Sequence, residues 1–294
     1  QQFAFKTDSP MIPYRSEVDA VTPVPSPSSD WFDLHHKHKL IIGNEINPQI
    51  DKAYYDIVFL GDSMVQNMDT DGSSIFNDFF GPLKTLNLGI AGDRTEHVLW
   101  RLQDGILDHV YTPIVVLWVG TNNHCHTPDE PQWTANGVLH ILKTIKDKMH
   151  SDTRIILLSP LPTLCSYSAY KRNFELADLL QEQVASTWPD NNVYKKIVVR
   201  DLWNSFYRPN GMDSAGKMAL QLFKRDGCHL NTFGYHVVFE DILTHVLGIL
   251  QVHGLNSLDD NTWPARDDLR FFDASTLYLA ELGNLQDTHG SIAV

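Results

Sequence analysis

The sequence predicts an α/β domain in which helices cover both faces of a five-stranded parallel sheet, a doubly wound sandwich. Short apolar runs alternate with stretches of helical periodicity from about residue 56 to residue 252. Residues 114–119 and 155–158 are nearly continuous apolar runs, which is typical of strands buried on both faces of a parallel sheet. Strands and helices that alternate in this way favour the doubly wound arrangement.

Each strand and helix is predicted from its own pattern. Residues 57–60 are apolar and run into the turn residues Gly61, Asp62 and Ser63, so a buried strand and a helix from residue 64 are predicted. Similar runs predict strands at 56–61, 85–89, 113–119, 154–159 and 196–201. Helical periodicity, with apolar side chains on one face and charged ones on the other, predicts helices at 95–103, 134–149, 170–187 and 232–252.

The two ends of the chain differ in composition from its centre. Prolines at 23, 25 and 27 alternate with small residues, so residues 1–30 are predicted to form an extended Pro/Ser-rich N-terminal arm. A helix is predicted at 31–46, with Asp30 as its N-cap. The folded domain is predicted to span 31–253, and residues 254–294 are predicted to be an acidic C-terminal extension with one helix at 275–285.

Charge and length exclude several classes of protein. A chain of 294 residues is long enough to bury one substantial core. Its net charge of −13 argues against a nucleic-acid partner, because phosphates are bound by clustered Lys and Arg. The same charge disfavours binding to anionic membranes. No apolar run approaches the length of a membrane span, so no span is predicted.

The cysteine content predicts the compartment. Three cysteines, Cys125, Cys165 and Cys228, do not make a disulfide framework, and the sequence contains no Asn-x-Ser/Thr sequon. Both observations favour a reducing, cytoplasmic setting. The alternative is a secreted protein, because the chain starts at Gln1 and not at Met.

Two groups of histidines resemble metal sites, yet no metal is predicted. His35, His36 and His38 lack a carboxylate or cysteine at matching helical spacing, so a solvated or interfacial cluster is predicted instead. In the His-Cys-His segment at 124–126, adjacent side chains of an extended chain point apart. They cannot all reach one ion without a special loop, and zinc sites usually draw on more separated ligands.

The candidate functional residues follow the predicted strands. In open parallel sheets, ligands bind beyond the carboxyl ends of the strands. Ser63 follows the first strand, Gly92 lies in the loop after the second, and Asn122 lies in the loop after the third. Asp226 and His229 come just before the last helix. We therefore expect these five residues to reach one rim of the sheet.

These residue types suit the attack of a serine on an ester. A serine hydroxyl is a weak nucleophile and needs a base within hydrogen-bond reach, for which His229 is the candidate. Asp226 would hold the imidazole in one tautomer. The N–H groups of Ser63 and Gly92 and the amide of Asn122 would stabilise the oxyanion. Each residue alone has an ordinary explanation as a turn, cap or surface residue, but together they favour a catalytic site.

At this point, the sequence resembles a known family. The blocks Gly-Asp-Ser at 61–63, Gly92, Asn122 and Asp-x-x-His at 226–229 match the SGNH, or GDSL-like, hydrolases. Over roughly residues 30–250, the chain looks like the catalytic subunits of type Ib platelet-activating factor acetylhydrolase, with the resemblance carried by residues 58–66, 87–93, 97–102 and 118–124.

This resemblance implies a flavodoxin-like SGNH hydrolase fold without a metal or cofactor. It implies a serine esterase that removes the short acetyl ester of an ether phospholipid, forms homodimers and binds a β-propeller regulatory partner. By the motif match, Ser63, Asp226 and His229 would be the catalytic triad. Ser63, Gly92 and Asn122 would form the oxyanion hole.

The chain also departs from the family pattern. The Gly-Gly pair of the family before Asp93 is Ala91-Gly92 here, which keeps the proposed donor. The segment 202–226 is reworked and contains basic residues, including Arg208 and Lys217, and the arm and the acidic tail lack counterparts in the short family members. These departures leave the ester, the dimer and the partner open. Two alternatives to a lipid acetylhydrolase follow: a carbohydrate O-acetyl esterase, and a non-catalytic esterase-fold protein used for binding or assembly.

Overall fold

The computed structural model describes residues 15–189, 196–207 and 218–252. Its strands are β1 (Ala53–Tyr54), β2 (Ile57–Gly61), β3 (Thr85–Gly89), β4 (Val110–Tyr111), β5 (Ile114–Trp118), β6 (Arg154–Leu158) and β7 (Ile197–Arg200). Five of them form one parallel sheet in the order β3-β2-β5-β6-β7, and β1 pairs with β4. Counted along the chain, the five strands have the order 2-1-3-4-5, which is that of flavodoxin-like folds.

Helices cover both faces of this sheet. They are α1 (Glu17–Val21), α2 (Ser29–Asn44), α3 (Ser63–Gln66), α4 (Ser73–Phe80), α5 (Thr95–Gln103), α6 (Thr121–Cys125), α7 (Pro131–Lys148), α8 (Tyr167–Thr187) and α9 (Thr232–Val252). Val58 and Leu60 of β2 share one core with side chains of α5, α7 and α8. Phe59, on the other face of β2, contacts Phe76 and Phe80 of α4, with ring centroids 5.4 and 5.5 Å apart. The strand therefore alternates between two cores, as a sheet buried on both faces requires.

The predicted fold class is confirmed. The ends of the five sheet strands lie within one residue of their predicted positions, and α5 and α9 have the predicted bounds. Helices α7 and α8 begin three residues earlier than predicted, because their starts are set by capping rather than by apolar periodicity. Pro131 occupies the first turn of α7, and the Ser166 hydroxyl accepts a hydrogen bond from the Ala169 N–H at 3.0 Å at the start of α8.

The N-terminal region differs from the predicted extended arm. Residues 1–14 lie outside the described residues, but α1 is helical and packs against α5 and α7. Its start is fixed by Asp19, whose carboxylate accepts a hydrogen bond from the Ser16 N–H at 2.6 Å. Helix α2 begins at Ser29 with Ser28 as its N-cap, so the predicted start at residue 31 with Asp30 as the cap is wrong.

The structure contains one disulfide bond that the sequence analysis did not assign, although three cysteines still make no disulfide framework. Cys125, at the end of α6, is bonded to Cys165, just before α8, with their Cα atoms 5.8 Å apart. The two residues are 40 positions apart in sequence. They meet because the strands that precede them, β5 and β6, are neighbours in the sheet, a relation that cysteine spacing alone does not reveal.

The histidines of α2 are not a solvated cluster. His35 and His38 are buried, whereas His36 is exposed. His35 Nε2 lies 2.8 Å from a carboxylate oxygen of Asp104. Burial, together with the nearby charge of Arg101, lowers the pKa of His38 to about 3. His35 and His38 therefore belong to the core beneath α2, and His36 does not.

Helix α9 contains an apolar stretch longer than the prediction of no membrane span assumed. By length and composition alone, Thr232–Gln251 is long enough to cross a membrane, and it is the one such helix in the described part of the chain. Core helices of globular proteins have the same composition, and Tyr235, Phe239 and Ile242 of α9 are fully buried. The absence of a membrane span stays a prediction. So do the domain boundaries, because residues 253–294, with the predicted helix at 275–285, lie outside the described residues.

Candidate active site

Three strands end at the same level and carry three loops to one rim. Gly61, the last residue of β2, pairs in register with Gly89 of β3 and with Trp118 of β5. The glycines allow close approach, because a Cβ on Gly61 would lie 2.0 Å from the Trp118 carbonyl oxygen and one on Gly89 would lie 2.1 Å from the Gln66 backbone nitrogen. The loops that bear Ser63, Gly92 and Asn122 therefore begin side by side, as expected.

Ser63 is the first residue of α3. The preceding Asp62 is the N-cap of this helix, and its carboxylate accepts a hydrogen bond from the Met64 N–H at 2.9 Å. This cap fixes the sharp passage from strand to helix. Ser63 is only 9% exposed, so the structure shields it from most of the solvent.

His229 and Asp226 lie on the loop before α9 and meet Ser63 directly. His229 Nε2 is 2.9 Å from Ser63 Oγ, and His229 Nδ1 is 2.7 Å from a carboxylate oxygen of Asp226. The other oxygen of Asp226 accepts hydrogen bonds from the N–H groups of Cys228 and His229, both at 2.9 Å. Gly227 takes a φ of 65° between them, a conformation that glycine adopts without strain.

The charge on Asp226 selects the tautomer of His229. Burial favours a higher pKa for this carboxyl, but hydrogen bonds from the His229 ring and from two backbone N–H groups outweigh it and hold the pKa below its usual range. An ionised carboxylate only accepts, so the proton of the neutral imidazole lies on Nδ1. Nε2 is then left to accept the hydrogen bond from the Ser63 hydroxyl.

The two candidate oxyanion donors beyond Ser63 lie on adjacent loops. Gly92 has a φ of 81° and is the third residue of a turn closed by the hydrogen bond from Asp93 N–H to Ile90 O at 3.1 Å, an arrangement typical of a type II turn. The Asn122 amide donates to the Asp93 carbonyl at 2.9 Å and to the Asp62 carboxylate at 3.3 Å. All five predicted site residues therefore belong to loops that contact one another.

Two fully buried carboxylates beneath the rim were not predicted as part of the site. Burial raises the pKa of Asp62 to about 7, with the Met64 N–H opposing the rise and Asp93 adding to it. Burial also raises the pKa of Asp93, against the attraction of Arg101. Both residues directly adjoin predicted site residues in the sequence, and this adjacency was the available signal.

A third unpredicted residue joins the two halves of the site. The hydroxyl of Tyr235, in the first turn of α9, donates a hydrogen bond to the Met64 carbonyl in α3 at 2.8 Å. Tyr235 is fully buried. The helix that follows the histidine loop is thereby fastened to the helix that bears Ser63. Sequence periodicity places Tyr235 in the core but does not reveal its partner 171 residues away.

The described residues contain no group of three or more His, Cys, Asp or Glu side chains arranged to hold a metal ion. His124, one of the residues inspected for this role, is buried. Its Nδ1 lies 2.8 Å from Asn173 Oδ1, and its Nε2 lies 3.1 Å from the Thr134 hydroxyl. Burial lowers the pKa of His124 to about 4, so it packs as a neutral imidazole.

The fold and this serine–histidine–aspartate arrangement define a hydrolase of the SGNH type. A sequence model of the GDSL-like lipase/acylhydrolase family matches residues 59–237, more than half of the chain. The chain belongs to this family.

Among curated proteins, the chain is 40% identical over 143 residues to platelet-activating factor acetylhydrolase IB subunit alpha1 of Rattus norvegicus, covering 48% of this chain and 56% of the relative. It is 44% identical over 107 residues to subunit alpha2 of Homo sapiens, covering 36% and 44%. The chain thus spans about half the length of the curated relatives it matches.

Solved structures support the fold. A GDSL-like lipase from Bacteroides thetaiotaomicron superposes with a TM-score of 0.55 at 16% identity, over 73% of this chain and 97% of that one. A putative acylhydrolase from Bacteroides fragilis gives a TM-score of 0.53 at 18% identity, over 76% of this chain and 100% of that one.

Proposed function

We propose that the protein is a serine esterase that hydrolyses short acyl esters through an acyl-enzyme. The observation that carries the proposal is the chain of contacts from Ser63 Oγ to His229 Nε2 at 2.9 Å and from His229 Nδ1 to Asp226 at 2.7 Å. Membership of the acylhydrolase family supports it. In this proposal, Ser63 is the nucleophile, His229 the general base and acid, and Asp226 its orienting partner.

The reaction would run in two halves. Ser63 Oγ forms a bond to the ester carbonyl carbon while its proton passes to His229 Nε2, and the carbonyl electron pair moves to oxygen. The N–H groups of Ser63 and Gly92 and the amide of Asn122 would hold this oxyanion. The amide would then exchange its longer hydrogen bond, at 3.3 Å to the Asp62 carboxylate, for one to the oxyanion. As the intermediate collapses, the alcohol leaves with the proton from His229. Water then attacks the acyl-enzyme by the same steps and releases the acid and free Ser63.

We propose a short acyl group, and specifically the acetyl ester of a lipid related to platelet-activating factor. The names of the curated relatives support this choice. A panel of esters tests it: an acetylated ether phospholipid, the same lipid with a long acyl chain in place of the acetyl group, and acetylated sugars. Turnover of the acetyl lipid above the other two is expected. Preference for the sugar esters would instead identify a carbohydrate O-acetyl esterase. The homodimer and the β-propeller partner stay predictions.

The decisive test is the removal of the nucleophile. Ser63→Ala should lower the hydrolysis of p-nitrophenyl acetate by a factor on the order of 10⁴ or more, because no other hydroxyl lies at His229 Nε2 within the described residues. Ser151→Ala, at an exposed serine, is the matched control and should retain full turnover. A fluorophosphonate probe should label the wild-type protein and not the Ser63→Ala variant. Equal turnover in both variants would contradict the proposal, and an unlabelled wild type would identify a non-catalytic relative.

The disulfide supports a compartment other than the cytoplasm. Disulfides persist in oxidising settings and are rare in the cytosol, so the Cys125–Cys165 bond favours the secreted alternative over the cytoplasmic prediction. We therefore propose an oxidising compartment. Alkylation of the unreduced protein under denaturing conditions, followed by mass measurement, should modify Cys228 alone and leave Cys125 and Cys165 protected. Alkylation of all three cysteines would instead favour the cytoplasmic prediction.

A further inference from the structure

We infer that Trp31 is a positioning residue of the proposed esterase: through Asp93, its indole N–H fixes the loops that carry the oxyanion donors Gly92 and Asn122. This inference rests on the proposed function. Trp31 lies in α2, outside residues 59–237 that match the family. It therefore identifies a contribution to the site from a part of the chain that the family match does not include.

The backbone of Asp93 is linked to both loops that carry the candidate donors. It directly follows Gly92, and its N–H closes the turn around Gly92 by donating to the Ile90 carbonyl at 3.1 Å. Its carbonyl accepts the hydrogen bond from the Asn122 amide at 2.9 Å. The position of a single residue therefore sets the direction of the Asn122 amide and the conformation of the turn that presents the Gly92 N–H.

The side chain of Asp93 is held from two sides. The Trp31 indole N–H donates to one carboxylate oxygen at 2.6 Å, and the Arg101 guanidinium donates to the other at 2.6 Å. Arg101 also donates to the carbonyl of Leu88, near the end of β3, at 2.6 Å. Asp93 and Arg101 are fully buried and Trp31 is 3% exposed, so water does not replace either bond when it is lost.

The two bonds have different consequences. Arg101 lies on α5, immediately after the turn, and ties Asp93 to the sheet. Trp31 lies on α2, 62 residues earlier in the sequence. It holds the carboxylate oxygen that Arg101 does not contact, and so links Asp93 to a second helix. Without the indole N–H, that oxygen keeps no hydrogen bond within the described residues, since the nearest histidine nitrogen, His97 Nδ1, lies 4.0 Å from it. The carboxylate relieves this loss by rotating towards Arg101. Even a small displacement of the oxyanion donors is expected to lower the turnover strongly.

Trp31→Phe removes the donor but keeps an aromatic ring in the α2 cluster. Trp100→Phe is the matched control: Trp100 packs against Trp31 with ring centroids 5.5 Å apart, and no hydrogen bond joins it to Asp93 within the described residues. For Trp31→Phe, we expect kcat for p-nitrophenyl acetate to fall about tenfold, as for the loss of a charge-assisted hydrogen bond, while KM changes less than twofold. Trp100→Phe should keep the wild-type kcat.

A transition-state analogue separates positioning from a purely structural role. A trifluoromethyl ketone adds reversibly to the serine hydroxyl and forms a hemiketal oxyanion, so its inhibition constant reports the oxyanion donors. In Trp31→Phe, this constant should rise by the same factor as kcat falls. If Trp31→Phe does not fold, benzothienylalanine at position 31 supplies an isosteric ring with sulfur in place of the N–H, and the same changes are expected.

Two results would overturn this inference and leave the proposed function intact. One is a lowered Tm in Trp31→Phe with unchanged kcat and an unchanged inhibition constant. The other is an equal loss of kcat in Trp31→Phe and Trp100→Phe. The first would make Trp31 a packing residue, and the second would assign the effect to ring volume. A wild-type protein that hydrolyses no ester would overturn the proposed function and this inference with it. The wild-type measurement therefore distinguishes the two failures.

Discussion

At the scale of single residues, Asp62 combines two roles that oppose each other. As an N-cap, it accepts the Met64 N–H, which favours the ionised form. As a fully buried group near Asp93, it is held protonated up to a pKa of about 7. Deprotonation of Asp62, the residue that caps the serine helix, therefore lowers the stability of the folded protein.

The sign of this effect follows from the two pKa values. Unfolded, Asp62 titrates near its ordinary value of 3.8, and folded it titrates near 7. Between these values unfolding releases a proton, so the contribution of Asp62 to the free energy of unfolding falls as pH rises, by up to about 1.4 kcal/mol per pH unit. The loss is complete above pH 7.

Asp62→Asn should remove this pH dependence, because the amide does not titrate but its oxygen still accepts the Met64 N–H. We expect a flatter dependence of the free energy of unfolding between pH 4 and pH 7 than in the wild type, measured by urea denaturation. Asp178→Asn, at an exposed aspartate of α8, is the control and should follow the wild-type curve. Parallel curves for Asp62→Asn and the wild type would show that Asp62 is ionised throughout.

At the scale of elements, α6 is a helix of only five residues that carries the Asn122 amide. Each residue after Asn122 fastens it to a different element. Asn123 donates to the carboxylate of Asp129 at 2.9 Å, His124 contacts Asn173 of α8, and Cys125 is bonded to Cys165. So short a helix has little stability of its own, and these three anchors supply it.

Loss of the disulfide should destabilise the protein. Cross-linking residues 40 positions apart restricts the unfolded chain, and removal of such a bond costs roughly 2–4 kcal/mol. We expect the double variant Cys125→Ala/Cys165→Ala, or the wild type under a dithiol reductant, to show a lower Tm and urea midpoint. Cys228→Ser should keep the full sensitivity to reductant. A wild-type Tm that reductant does not change would contradict the assignment of this bond.

At the scale of the whole molecule, stability extends beyond the part that matches the family. Arg15 precedes α1, yet its guanidinium donates to Asp129 at 2.6 and 3.0 Å and lies 2.9 Å from Glu96. Both carboxylates are fully buried. The N-terminal segment therefore closes a charge network between α5 and the loop before α7.

Arg15→Ala should cost about 3 kcal/mol of the free energy of unfolding, because removal of one partner leaves a buried charge uncompensated. This is the lower end of the usual range, since Arg94 still pairs with Glu96 at 2.6 Å. Lys84→Ala breaks the exposed pair with Glu45 and is the control, with an expected loss of at most about 1 kcal/mol. If urea denaturation gave equal losses of the free energy of unfolding for Arg15→Ala and Lys84→Ala, the Arg15 network would contribute no more than an exposed salt bridge.

The sequence was informative where structure is local. Apolar runs located the five sheet strands, and the rule that loops after parallel strands share one rim brought Ser63, Gly92 and Asn122 together. It failed where contacts are distant in sequence. The Trp31–Asp93 bond, the Cys125–Cys165 bond and the Arg15–Asp129 pair span 62, 40 and 114 positions. No periodicity encodes such pairings, because each depends on how elements that are distant in sequence pack together.

Strands β2, β3 and β5 end in register with one another. The site therefore does not tolerate a residue inserted into or deleted from these strands. A single residue inserted into β2 would move Ser63 about 3.3 Å along the strand direction, farther than its hydrogen bond to His229 can follow. The same insertion would exchange the two faces of the strand and turn Phe59 towards the wrong core. Substitutions in these strands can be absorbed by repacking, but insertions and deletions cannot, so we expect the protein to tolerate changes of length only in its loops.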